Sequence, residues 1–471
     1  MPRTFANRAF PIDVSRAVRI LLRIVPWLGL SLGFALPAGA AQHTVRPDGL
    51  GDFPTIQDAV NASLPGDEIL LESGRFTGAG NRDITFGTKD LIVRSLNGAP
   101  ACTLDSQGVV GNPHRAFFLS GGQTPATRID GLTIIGGYTS GAFPQVGGAG
   151  ILITTSSHPT IVNCIFDGNV SGFQGFGAGL LAFDNCDVRI ADCIFRNGDS
   201  GWYGGGFTLR LNSDGIVDRC LVMNNHSIHA GGGASITNSD ALVTDCLFVN
   251  NVTDEVDGGG VLVKAEARPT FTRCVFAGNH ASYGGGIGLG NLPEVTLIDC
   301  LFEGNTASVF GGAIDLDQEP SVLHLLNCTV VNNVAPGVAM QIFIGEQATF
   351  TMHNSIVRGV CGPGYQAYCF PTGTFEGDCN LIEGGAAAVG GNGTIVYGAN
   401  NHDYDPLFCG PKDCGSIAYP IGDWTLDALS PAAPPGGGCG AIGAYPVACG
   451  STPVPWNTEA TTWGRLKNRY R

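Results

Sequence analysis

Along most of the chain, apolar residues alternate with polar ones in short runs, and glycine, asparagine or aspartate breaks each run. The stretch "GGGVLVKAEARPTFTRCVFAGN", residues 258–279, is representative. Its period of two predicts strands of three to five residues separated by tight turns, and it shows no helical spacing. The pattern also repeats. The last small residue of each glycine run falls at Gly150, Gly179, Gly206, Gly233, Gly260, Gly286 and Ala313, in steps of 26 to 29 residues. Cys164, Cys193, Cys220, Cys246, Cys274, Cys300 and Cys328 keep the same beat. Two independent markers with one period establish a repeat of about 27 residues.

A unit of three short strands and no helix suits one coil of a parallel β-helix. Stacked coils lie about 4.8 Å apart, so a residue type that recurs each period forms a column along the axis. The seven cysteines then become a buried column of small apolar groups, expected to be free thiols. Two residues later, Phe166, Phe195, Phe248, Phe276 and Phe302 form an aromatic stack. Five residues after the cysteines come Asn169, Asn225, Asn251, Asn279, Asn305 and Asn333, an amide ladder that Gly198 interrupts. At the start, "FPTIQDAVNASLPGDEILLESGRF" predicts a short helix, with Ile56 and Val60 on one face, capping the first coil.

Other segments set the limits of this repeat. Five arginines precede an apolar run that ends in Ala38-Gly39-Ala40, the layout of a signal peptide cleaved after Ala40. The expected order is a signal peptide (1–40), a cap with first coils (41–127) and regular repeats (128–358). C-terminal coils (359–450) and a basic tail (451–471) follow. The tail contains "TTWGRLKNRYR". No later segment is long and apolar enough to span a bilayer. The expected location is therefore extracellular or on the cell surface. In such a compartment Cys409 with Cys414, Cys439 with Cys449, and Cys361 with Cys369 are the candidate disulfides.

Composition narrows the chemistry. Charged residues make up only 14 % of the 471, and the net charge is −15. Removing residues 1–40 takes away five arginines and Asp13, which leaves −19. Such a chain lacks the basic footprint that nucleic acid requires. Polyanionic glycans would need calcium to bridge the charges.

From about His43 to Gly450 the chain resembles the secreted bacterial right-handed β-helix proteins of the pectin-lyase-like superfamily. The opening "GDFPTIQDAVNASLPGDEILLESGRF" carries that resemblance. "GGAI" at Gly311–Ile314, with "FDGN", "FVNN", "FAGN" and "FEGN", is similar to the repeats of polymorphic outer membrane proteins. The second resemblance implies an adhesive surface role. Only some twenty residues follow the last coil, so the translocator barrel of those proteins is not expected. Enzymes of the first group work along the outer face of one strand column, on polysaccharides. The paired aspartates and "GHG" of polygalacturonases do not occur here.

Counting four residues on from each glycine run gives an outward column: Thr154, Phe183, Arg210, Thr237, Lys264, Gly290 and Asp317. Just before the runs come Trp202, Tyr203, His229, Asp257, Tyr283 and Phe310. Aromatic side chains beside mixed charges suit a sugar-binding groove, with Trp202, Tyr203, His229, Tyr283, Phe310 and Asp317 as contacts. A lyase reading would make Lys264 the base, with Arg210 on the same face. Asp254, Glu255 and Asp257 would then be calcium ligands. No cofactor is otherwise required. "GDSG" at Gly198–Gly201 adds a weak nucleophile reading through Ser200, Ser227, Asp199 and His226. Two functions stay open: a scaffold that contacts glycans or surface proteins, and a polysaccharide lyase.

Overall fold

The computed structural model describes residues 39–316, 320–336, 339–359, 364–412, 422–433, 439–440 and 442–447. The expectations for the leader before residue 39, Asp317, Cys361, Cys414, Cys449 and the basic tail lie outside these residues. Among the described residues strands stack in parallel, coil on coil, into a solenoid twelve strands deep at its second sheet. One regular coil shows the plan. Arg189–Ala191 joins a 14-stranded first sheet, and Ile194–Arg196 a 12-stranded second sheet. Asp199–Tyr203 joins a 7-stranded third sheet, and Phe207–Arg210 an 11-stranded fourth sheet.

The third sheet corrects the three-strand expectation. It lies between the asparagine ladder and the glycine run, and some of its strands are as short as His226–Ser227 and Val252–Thr253. Two residues cannot show a period, so the alternation rule passes over them.

Corners fall where the backbone takes the left-handed region. The residue before each column cysteine has φ between +52° and +55°: Asn163, Asp192, Asp245, Asp299 and Asn327, with Arg219 and Arg273 at the other two corners. Asparagine and aspartate accept that conformation more readily than other residues with a Cβ. The glycine runs serve two needs. Gly231 turns the chain at φ +66°, and a Cβ on Gly233 would lie 2.5 Å from the carbonyl oxygen of Gly260 in the next coil.

The columns fill the core. The seven cysteines are free and fully buried, and Phe166 stacks on Phe195 with ring centroids 4.5 Å apart. Burial pushes the Cys193 thiol well above the ordinary range, which keeps it protonated and unreactive. Each ladder amide links its neighbours: Asn279 Nδ2 donates to Asn305 Oδ1 at 2.9 Å and to the Phe248 carbonyl at 2.9 Å. At the break, the Gly198 N–H donates to Asn225 Oδ1 at 2.9 Å. Beyond Asn333 the column continues through Gln341, which donates to Gln366.

The helix Ile56–Ala62 covers the first coils, with Ile56, Ala59 and Val60 buried. Asp58 N–H donates to Thr55 Oγ1 at its start, and Lys89 Nζ donates to the carbonyls of Val60, Asn61 and Ser63 at its end. At the other end, coil strands reach Thr394–Tyr397. The chain then turns back instead of adding further coils. Phe408–Gly410 and Asp423–Leu426 pair antiparallel, and this strap packs Trp424 and Tyr445 over Leu247, Val275 and Leu301 on the outer side of the second sheet.

The strap also revises the disulfides. Cys439 is bonded to Cys379, not to Cys449, because the strap runs back along the solenoid and brings position 439 beside the coil that holds Cys379. Cys369 is a free thiol buried in the core, so the Cys361–Cys369 pairing does not form. Cys409 is disulfide-bonded, and its expected partner Cys414 is outside the described residues.

Candidate functional site

Two columns meet on one outer face. On the fourth sheet Phe183, Arg210, Thr237, Lys264 and Gly290 are direct neighbours in register. Arg210 and Lys264 thus stand two coils apart, about 10 Å by strand spacing. At the edge of the third sheet Phe176 neighbours Tyr203, Tyr203 neighbours Ala230, Asp257 neighbours Tyr283, and Tyr283 neighbours Phe310. This second column therefore carries an aromatic pair at each end, with Ala230 and Asp257 between.

The first aromatic pair belongs to a larger cluster. Trp202 lies parallel to Phe176 at 6.3 Å, and His229 meets Trp202 edge-on at 5.7 Å. Tyr203 is 5.5 Å from Phe176 and 5.4 Å from His229. Phe143 closes one side, 5.2 Å from Phe176 and 5.0 Å from Phe183. The Arg210 guanidinium sits between two rings, 5.2 Å from Phe143 and 4.7 Å from Phe176. Burial between them lowers its pKa and leaves Nε without a hydrogen-bond partner. Lys264 Nζ lies 6.0 Å from the Tyr203 ring. Phe143, Phe173 and Phe176 escaped the sequence reading. Phe143, before Gly150, lies outside the one signal, which for Phe173 and Phe176 was the 29-residue step between Gly150 and Gly179; that step makes room for the long irregular strand Val170–Phe176. Phe173 projects from it, 80 % exposed.

Histidines and carboxylates line the third sheet beside this cluster. His226 Nδ1 is 2.8 Å from Asp199 Oδ1, and Nε2 is 3.0 Å from Asp254 Oδ2. These partners, Asp199 foremost, raise its pKa to about 8. His229 Nδ1 is 2.9 Å from Glu255 Oε2. Asp254, Glu255 and Asp257 accordingly do not converge as the calcium set that their spacing suggested. The first two face different histidines, and Asp257, 7 % exposed, lies over Gly288. Among the described residues no three His, Cys, Asp or Glu side chains are arranged to hold a metal ion.

The nucleophile reading is also corrected. Asp199 and His226 do pair, but Ser200 and Ser227 are fully buried. Ser200 Oγ donates to the carbonyls of Gly175 and Tyr203, and Ser227 Oγ to that of Ala230. Alternation along the strand sends serine and histidine to opposite faces. Tyr283 and Phe310 stand 6.3 Å apart and continue through Phe343, 4.7 Å from Phe310, as a second aromatic patch.

The face therefore offers partly exposed rings at both ends of a polar middle. Flat aromatic faces suit apolar C–H surfaces, and the hydroxyl, imidazole and ammonium groups around them suit polar ligand groups. No helix among the described residues is long and apolar enough to cross a membrane.

Among solved structures, the chain is similar to the PL6 family alginate lyase AlyGC, with a TM-score of 0.48 and 14% sequence identity over 84% of this chain. It spans 59% of that lyase's length. It is also similar to pectate lyase Pel9A, with a TM-score of 0.36 and 12% identity over 88% of this chain and 98% of that one. No curated protein matches the sequence. The model of the right-handed β-helix region matches residues 92–253 and 227–398. With its coils, ladders and parallel sheets described, the chain belongs to the right-handed β-helix family.

Proposed function

We propose that the protein is an extracellular or cell-surface β-helix scaffold that binds glycans along the face shared by its third and fourth sheets. The observation that carries this reading is the cluster of Trp202, Tyr203, His229 and Phe143 around Arg210 and Lys264. A solenoid has no packing need for that many half-exposed rings on one strip, whereas a sugar-binding surface does. The signal-peptide layout of residues 1–40 supports the location. The test is binding of the protein to a panel of neutral and charged polysaccharides by affinity electrophoresis. Retardation by at least one polymer, lost when Trp202 and Tyr203 are replaced, is the expected result. No retardation by any polymer would remove the glycan reading.

A second reading, a polysaccharide lyase, is favoured by the shared column of Lys264 and Arg210. It differs in one readout. A lyase shortens the polymer and a scaffold leaves its length unchanged, so size-exclusion chromatography after incubation separates the two.

A further inference from the structure

His226 stands apart from the aromatic cluster, and both of its ring nitrogens face acceptors. Asp199 approaches Nδ1 from the preceding coil, and Asp254 approaches Nε2 from the following one. A neutral imidazole has one N–H and one lone pair, so it satisfies only one carboxylate; two require the imidazolium. The remaining charged and titratable groups near this column are accounted for. Val252, opposite His226 in the next coil, neighbours His280, whose Nδ1 is 2.8 Å from Thr306 Oγ1. His229, three residues on, is paired with Glu255.

Asp254 begins a segment that lies against the previous coil through a few backbone bonds. The N–H groups of Asp254, Glu255 and Val256 donate to the carbonyls of Ser227, Ile228 and His229 at 3.3, 3.1 and 3.0 Å. Glu255 in turn holds His229, and His229 packs against Trp202 and Tyr203. A continuous set of contacts thus runs from the His226 proton to the aromatic cluster.

We propose that His226 is a pH-operated latch: protonated, it ties the Asp254–Asp257 segment to the preceding coil and seats His229 in the aromatic cluster, and deprotonated, it releases a carboxylate and loosens that segment. On deprotonation the proton passes to solvent, one of the two carboxylates loses its N–H partner, and the pair becomes a single hydrogen bond. The latch is closed at neutral pH and opens as pH rises through about 8. It operates on the strip whatever binds there, so it stands or falls separately from the glycan reading.

Two measurements on the whole protein test it. Imidazole 15N NMR from pH 6 to 10 follows His226, and hydrogen exchange of peptides spanning residues 252–257 follows the segment. Exchange is read at pH 6.5 and 9.5 and corrected for intrinsic rates. The expected result is about tenfold loss of protection at the higher pH in that segment, with peptides of the asparagine ladder unchanged. His226→Gln, which offers a single donor arm, should exchange at both pH values as the wild type does at 9.5. If that variant does not fold, Asp254→Asn serves: it should lower the His226 midpoint and abolish the pH dependence of protection. Equal protection at both pH values in the wild type overturns the latch, as does an Asp254→Asn variant that keeps the full pH dependence.

Discussion

The amide Nδ2 and the backbone N–H of Asn225 both donate to one atom, Oδ1 of Asn251, each at 3.0 Å. Asn251 passes the arrangement on: its Nδ2 donates to the Val222 carbonyl at 2.9 Å and to Asn279 Oδ1 at 3.0 Å. Asn225 and Asn251 are 1 % and 0 % exposed, so no water replaces a lost partner. Asn251→Ala strands two buried donors and a carbonyl and should destabilise the fold by about 3–5 kcal/mol. Urea unfolding checks this. A loss below about 1 kcal/mol would mean that the ladder decorates the turn without holding it.

Phe276 stacks between Phe248 at 5.1 Å and Phe302 at 4.5 Å. Phe276→Ala opens a cavity in mid-solenoid and should cost about 3–5 kcal/mol, while Phe276→Leu should cost less than half of that. Because each coil contacts only its neighbours, the Ala variant should also unfold less cooperatively, with a lower slope against denaturant.

Glu303, 2 % exposed, accepts from the Gly422 N–H at 3.1 Å and lies 3.8 Å from Lys412 Nζ, so it fastens the strap from the outer side of the second sheet. The Cys379–Cys439 bond closes a loop of sequence separation 60. Replacing both cysteines by alanine should cost about 2–4 kcal/mol. Limited proteolysis should then cut beyond Tyr397 first and leave the coils before it intact. Cleavage within the coils at the same rate would show that the strap and the solenoid unfold as one unit.

Trp202→Ala and Tyr203→Ala should each weaken glycan binding about three- to tenfold, with unfolding midpoints nearly unchanged because both rings are partly exposed. Tyr203 and Tyr283 are three coils apart, about 14 Å by strand spacing. Oligosaccharides long enough to bridge them should bind more tightly than shorter ones. Titration calorimetry with a graded series measures both effects, and a flat response to length would confine the site to one aromatic patch.

Two histidines should shape the pH profile of stability in opposite ways. His226 titrates above its unfolded value, so its contribution is complete below the ordinary histidine range and is lost as pH rises through about 8. His324 is held below its ordinary value by burial, so its contribution is lost as pH falls through the ordinary histidine range. His226→Gln should flatten the alkaline side of the profile and His324→Gln the acid side. Unfolding midpoints between pH 5 and 9.5 provide the check.

The coil plan was legible because it is written many times over. Cys164 to Cys328, the phenylalanines and the asparagines repeat at a fixed distance, and the capping helix showed itself through Ile56 and Val60. What occurs once was not legible. The strap joins Gly422 to Glu303 and Cys439 to Cys379, contacts between distant positions that no periodicity marks. The site divides along the same line. The outward column of Phe183, Arg210, Thr237 and Lys264 followed from counting. Phe143 and Phe176 enter from irregular segments, and the phase of Asp254 and Glu255 depends on a third sheet too short to predict.

The register of the glycine and cysteine columns has a consequence for how such a protein can change over generations. Each coil meets the next through the same set of groups: amide to amide, ring to ring, glycine to carbonyl. A tandem duplication of one 27-residue unit therefore inserts a coil that already fits both neighbours. The outer strip would grow by about 4.8 Å with each such event while the core chemistry stayed the same. Reach along a ligand becomes a matter of copy number, and the residues that face outward are left to diverge one coil at a time.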